Sequence, residues 1–244
     1  MVLNGDMSKA NTAVTLPEGV SLRRVAEVLR DAWEAGSHRW TNTPLQLREG
    51  PKPAPPMPVP QDAMELFRLL HERRVNYLLV GGMALLTYVQ GRNTKDVDLL
   101  MSVAALEQLP ELTIEERNDF FARGKFKSIQ VDLLLTKNPL FQFVLERFAT
   151  KHRFEELTVP AATAEGLIVL KLFALPSLYR QMDLDRAAVY ETDITVLLAR
   201  HSAATAPLLA LVKQHVEPGD KRELEKILTE CSERAGKLRQ RTNS

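Results

Sequence analysis

The sequence predicts an α/β protein: a small mixed sheet interleaved with helices, followed by a helical C-terminal part. Two observations carry this expectation. Three short apolar runs, at 76–80 (NYLLV), 96–101 (DVDLLM) and 129–135 (IQVDLLL), have the length and composition of buried strands. From Ala164 onward apolar residues recur at helical spacing instead, giving helices at 163–175, 184–200, 204–216 and 220–238. Pro176, Pro207 and Pro218-Gly219 read as the breaks between them.

The remaining elements follow in order. Residues 1–17 are small and polar, and read as frayed. Residues 21–36 place Leu22, Val25, Val28, Leu29 and Trp33 on one helical stripe, with Ser21 as N-cap. One apolar stripe has to dock, and the body of this chain is the expected host. Prolines in PKPAPPMPVP (51–60) forbid helix and make that segment a linker or a surface strap. Met64, Phe67, Leu70 and His71 then mark a helix over 62–74. Gly81-Gly82 ends the first strand, a helix follows over 83–89, and Pro139 opens another over 139–149. The chain thus divides into an N-terminal extension (1–60), an α/β core (61–160) and a helical subdomain (161–244).

Composition narrows the function. Among 244 residues, 32 Lys+Arg stand against 31 Asp+Glu, which excludes a polycationic nucleic-acid coat and an acidic tail, though not a local basic groove. A single cysteine, Cys231, excludes an internal disulfide and a Cys-based zinc site. No apolar run approaches the ~20 residues of a membrane span, and the first residues lack the pattern of a signal peptide. A soluble cytoplasmic protein with no membrane partner is expected.

The chemistry concentrates in three places. In the 96–101 strand Asp96 and Asp98 leave the same face, while Val97 and Leu99 point into the core. Two carboxylates so close repel unless a cation lies between them. Asp132 sits in the 129–135 strand among apolar neighbours, and converges with them if the two strands pair. Hard oxygen donors suit Mg²⁺ or Mn²⁺, and two such ions about 3.5–4 Å apart can support an in-line phosphoryl displacement. Gly81 and Gly82, between strand and helix, let backbone approach a phosphate. Each feature has a bland alternative: a solvated turn, a tight turn, an edge residue. Their ordered combination is what points to a nucleotide triphosphate cradle.

In these residues the chain resembles the nucleotidyltransferase superfamily of DNA polymerase β-like fold, and within it the minimal enzymes of abortive-infection and type IV toxin–antitoxin systems. Gly81-Gly82-Met83-Ala84 matches its Gly-Gly-x-Ala, and Arg92-x-Thr94-x-Asp96-Val97-Asp98-Leu99 its Arg-x-Thr-x-Asp-x-Asp-Leu. Asp132 stands where a third acidic residue falls. Many members carry Ser where this chain has Met83, which cannot hold a phosphate by a hydroxyl. The resemblance implies a small mixed nucleotidyltransferase sheet with a helical C-terminal subdomain. It also implies transfer of NMP from an NTP to an RNA end or a protein side chain, a toxin-like or phage-defence role, and a cognate partner protein. Asp96, Asp98 and Asp132 would bind metal, with Asp132 also orienting or deprotonating the acceptor, and Gly81 and Gly82 would contact phosphate. A non-catalytic nucleotide-binding module and an interaction scaffold are the alternatives.

Lys171 lies in an otherwise apolar helix, in a Lys-Leu-x-Ala element that continues the resemblance through Arg180, Asp183, Asp185, Arg186 and Asp193-Ile194. A buried ammonium needs a partner, and a triphosphate or Asp193 would serve. Arg92 and Thr94 precede the Asp-x-Asp strand; Arg92 reads as a loop brace first and a phosphate ligand second. Arg123, Lys125 and Lys127 around Gly124 read as a solvated hairpin rather than an RNA contact. The five histidines show no ligand spacing and read as structural or surface residues.

Overall fold

The computed structural model describes residues 61–89, 94, 96–154, 156–201 and 203–242. The expected helix at 21–36, the proline segment at 51–60 and Arg92 lie outside the described residues.

Helix α1 (Gln61–Glu72) forms where the sequence repeats apolar residues at helical spacing, and it buries Ala63, Met64, Leu66, Phe67 and Leu70. Strand β1 (Tyr77–Val80) is buried throughout and runs into the short helix α2 (Gly81–Leu85). Strand β2 (Val97–Met101) is equally buried. Ser102 then caps helix α3 (Val103–Leu106), accepting the Ala105 N–H at 3.0 Å. Strands β3 (Thr113–Arg117), β4 (Phe121–Phe126) and β5 (Ile129–Leu135) form an antiparallel meander. Asn138 accepts the Leu140 N–H at 2.9 Å and, with Pro139 at the first turn, starts helix α4 (Pro139–Arg147). The hairpin β6 (Ala149–Phe154) and β7 (Leu157–Ala162) leads to Thr163, which caps helix α5 (Ala164–Arg180). Helices α6 (Leu184–Arg200), α7 (Thr205–Lys213) and α8 (Asp220–Thr242) complete the chain and pack on α5 and on one another.

The strands make one mixed sheet in the order β3-β4-β5-β2-β1-β7-β6. Strand β2 lies antiparallel to β1 and parallel to β5, so the most apolar strands occupy the centre. A continuous hydrophobic core joins the sheet to the helices; Leu99, Leu133, Phe141, Ile168 and Leu172 are all buried in it. Among the described residues no helix is long and apolar enough to cross a membrane.

The fold is the expected mixed α/β arrangement, with differences that have physical reasons. The sheet has seven strands, and β3, β4, β6 and β7 were not expected from the sequence. β3 and β6 are the two edges, largely exposed and polar, without the apolar signature of a central strand. Pro160 in β7 is tolerated because β7 meets β1 at a single register pair, Leu79 with Ala161. Pro176 does not end a helix: α5 runs through it to Arg180. A proline inside a helix costs about 3 kcal/mol, and the burial of most of α5 offsets that cost. Pro207 falls in the first turn of α7, where its missing N–H would have had no helical partner anyway.

Phe141 joins α4 to the rest of the core through edge-to-face contacts with Phe121 (5.4 Å) and Phe173 (5.7 Å). Phe141→Ala is expected to cost about 3–5 kcal/mol of stability, measured by urea denaturation.

Candidate active site

Pairing in the centre of the sheet builds the site. In the parallel pair β2–β5, Asp98 is the register partner of Asp132. In the antiparallel pair β4–β5, Asp132 is also the partner of Arg123, and across β1–β2 Asp98 faces Val80. Register partners share a sheet face, so Asp98, Asp132 and Arg123 form one row across three strands. All are buried, at 8%, 2% and 5% exposure. Asp96, just before β2, is buried beside them.

Each carboxylate is held differently. Arg123 donates to Asp132 from Nε to Oδ1 at 2.9 Å and from Nη2 to Oδ2 at 3.3 Å. Gln130 Nε2 adds contacts of 3.2 and 3.4 Å to the same two oxygens. The reading of Arg123 as part of a solvated hairpin is therefore corrected. Its strand position opposite Asp132 turns it inward, and an ionised carboxylate among apolar strands requires such a partner. Lys125 and Lys127 do lie at the surface, paired with Glu115 and Glu65.

Asp98 Oδ2 receives the Gly82 N–H at 3.2 Å. Burial first, then the charges of Asp132 and Asp96, push the Asp98 carboxyl up to about 7, against the opposing pull of the Gly82 N–H and Lys171. The glycine pair is shaped by this carboxylate. Gly81 has φ +61°, and a Cβ there would lie 2.0 Å from Asp98 Oδ2. A Cβ on Gly82 would lie 2.9 Å from Thr94 Oγ1, whose hydroxyl donates to the Asp96 carbonyl at 3.4 Å. One of the two amides expected to be free for phosphate is thus committed to Asp98.

Lys171 Nζ pairs with Asp193 Oδ2 of α6 at 2.9 Å and lies 4.2 Å from the centre of the Tyr190 ring. The ion-pair alternative for this lysine is present. Lys171 also lines the same cleft as Gly81, Asp98 and Asp132, a space of about 590 Å³ with its open mouth included. Arg180 pairs with Asp220 and Arg186 with Asp183. Sequence reasoning missed Gln130, Arg123 as a partner of Asp132, and Tyr190. The lone Asp of IQVDLLL was the available signal, because it needed a counter-charge from a neighbouring strand.

Among the described residues no group of three or more His, Cys, Asp or Glu side chains encloses a metal ion by itself. The donor chemistry nonetheless fits a hard divalent cation. The carboxylates are oxygen donors, and burial together with the neighbouring charges of Asp132 and Asp96 raises the Asp98 carboxyl. Mg²⁺ commonly takes one or two carboxylates and completes its shell with water and substrate phosphate.

The chain is similar to solved nucleotidyltransferase-like structures at low identity. An antigenic nucleotidyltransferase-like protein from Paracoccidioides brasiliensis has 15% identity over 69% of this chain and 91% of its own, with a TM-score of 0.44. The antibiotic-resistance factor ANT(2'')-Ia in solution has 12% identity over 63% and 88%, with a TM-score of 0.48. Its complex with adenylyl-2"-tobramycin has 13% identity over 64% and 96%, with a TM-score of 0.45. No protein-family profile and no curated protein sequence matches.

Gly81→Ala combines a left-handed backbone with a clash against Asp98, and is expected to cost at least about 2 kcal/mol in urea denaturation. Raising the Asp98 carboxyl to about 7 makes stability fall with rising pH. Between about pH 4 and 7 the unfolded chain releases a proton that the folded chain keeps, so stability declines across that window and levels off above it. Asp98→Asn removes this penalty. In chelator, the variant is expected to match the parent near pH 4 and exceed it by roughly a few kcal/mol at pH 8.

Proposed function

We propose that the protein is a metal-dependent nucleotidyltransferase that moves a nucleoside monophosphate from an NTP to an acceptor hydroxyl and releases pyrophosphate. The observation that carries this reading is the buried Asp98–Asp132 register pair, opening into one cleft with Gly81 and Lys171. Two carboxylates side by side in a central parallel pair weaken the sheet unless a ligand uses their charge.

In this reading Arg123 and Gln130 hold Asp132 so that it accepts the acceptor's hydroxyl proton. The freed oxygen forms a bond to the α-phosphorus. The bond from that phosphorus to the bridging oxygen of the β-phosphate breaks, and pyrophosphate leaves with the electron pair. Asp96, Asp98 and Asp132 would hold Mg²⁺ or Mn²⁺, which when bound supplies positive charge against the phosphoryl oxygens. Gly81, Thr94 and Arg92 take the phosphate side. Gly82 acts through its grip on Asp98. Lys171 offers a cation at the cleft wall, in exchange with or alongside Asp193. The resemblance to abortive-infection and toxin–antitoxin enzymes extends the reading to a toxin-like or phage-defence role.

Incubation with each α-labelled NTP, Mg²⁺ or Mn²⁺, and pooled small molecules, RNA and lysate protein is expected to label an acceptor. Asp98→Asn is expected to bring transfer below detection. Undiminished transfer by that variant would remove Asp98 from the chemistry.

A further inference from the structure

Asp132 differs from Asp98 in carrying a cation of its own. Arg123 is buried, and its guanidinium meets Asp132 through Nε at 2.9 Å and Nη2 at 3.3 Å. The sheet fixes this pairing, because Arg123 and Asp132 are register partners across β4–β5. On either side Ala122 faces Leu133 and Gly124 faces Val131, so neither strand can slip without turning Arg123 to the other face. Gln130 Nε2 reaches the same two oxygens at 3.2 and 3.4 Å. Both oxygens of Asp132 therefore already accept from nitrogen donors. Asp98 instead receives a backbone N–H, from Gly82 at 3.2 Å.

The pairing bears on how many cations the row can hold. Asp96, Asp98 and Asp132 do not form a three-carboxylate group able to hold an ion, and the Asp132 oxygens are turned to Arg123. A divalent ion on either of those oxygens, at the usual distance of about 2.1 Å, would lie within about 5.5 Å of a guanidinium nitrogen. Burial leaves that repulsion poorly screened. Charge also balances with one ion. One guanidinium and one divalent cation match the three carboxylates, while Lys171 is already paired with Asp193. A second divalent ion would add an excess of positive charge at the centre of the sheet, where desolvated charge is costly.

We infer that the site seats one divalent cation, on the Asp96–Asp98 side, and that the Arg123 guanidinium stands permanently where a two-ion site would hold its second cation. This rests on the nucleotidyl-transfer reading and states how the positive charge of that site is divided. Asp132 keeps its part as proton acceptor and gives up its part as a metal ligand. A neutral acceptor hydroxyl can take the place of Gln130, whose contacts are the longer ones and which is only half-buried. A dication would have to stand against Arg123. Arg123 is a positioning residue here: it touches Asp132, and it sets which carboxylates remain open to metal.

The probe is Mn²⁺, added to the full chain with a mixture of non-hydrolysable α,β-methylene nucleoside triphosphates. Equilibrium dialysis is expected to count one protein-dependent Mn²⁺ per chain, and electron paramagnetic resonance to show isolated ions rather than spin-coupled pairs. Arg123→Gln, which opens Asp132, is expected to take up a second Mn²⁺ and to show coupled pairs. Arg123→Lys, which keeps the charge, is expected to stay at one. A purely structural arginine would change stability in both variants and the ion count in neither. Coupled Mn²⁺ pairs in the parent, or a single ion in folded Arg123→Gln, would overturn the inference and leave nucleotidyl transfer standing. Should Arg123→Gln fail to fold, the count on the parent decides. No Mn²⁺ bound by the parent would instead sink the metal-dependent reading itself, so the two failures are distinguishable.

Discussion

Everything around the site answers to one constraint: the parallel pairing of β2 with β5 sets Asp98 directly beside Asp132 in the middle of a buried sheet. Two carboxylates there lose hydration and repel each other at once. The neighbouring structure answers each separately. Strand β4 brings Arg123 opposite Asp132 and closes a two-point ion pair, and Gln130, two residues before Asp132 in β5, adds contacts to the same two oxygens. Removing one partner from such a buried pair typically costs 3–5 kcal/mol, on the order of a third of a domain's whole stability. Asp98 has no side-chain cation at comparable range among its described contacts. The Gly82 N–H and the charge of Lys171 oppose the rise of its carboxyl, and burial with the charges of Asp132 and Asp96 outweighs them.

That asymmetry sets the two carboxylates in different environments. Asp132 is fixed and oriented by its own sheet. Asp98 is held by backbone and retains an electrostatic deficit that a cation would relieve. The glycine pair belongs to the same arrangement: Gly81 is glycine because Asp98 fills the space a side chain would need, under a left-handed backbone. Helix α5 supplies the opposite wall, almost wholly apolar, with Lys171 neutralised by Asp193. Low-polarity walls strengthen every charge interaction that remains inside the cleft.

Much of this was legible in the residues. The strands at 76–80, 96–101 and 129–135 announce themselves as apolar runs, and Asp96, Asp98 and Asp132 stand out because acids rarely interrupt such runs. The helix starts at Pro139 and Ala164 follow from local capping chemistry. Other features were not legible, for identifiable reasons. Edge strands β3 and β6 carry polar residues on both faces and look like loops in sequence. FARGKF reads as a basic turn until β5 lies beside it. Pro176 looks like a helix end, yet packing around α5 outweighs the lost hydrogen bond.

The sequence by itself singled out the candidate residues for chemistry, because side-chain type and the two-residue period of a strand are local properties. It placed Asp96 and Asp98 on one face without reference to the rest of the chain. Only the tertiary structure decided the company they keep. Strand order and register, which depend on long-range pairing, set Asp132 beside Asp98, turned Arg123 inward, spent the Gly82 amide on a carboxylate, and walled the cleft with α5.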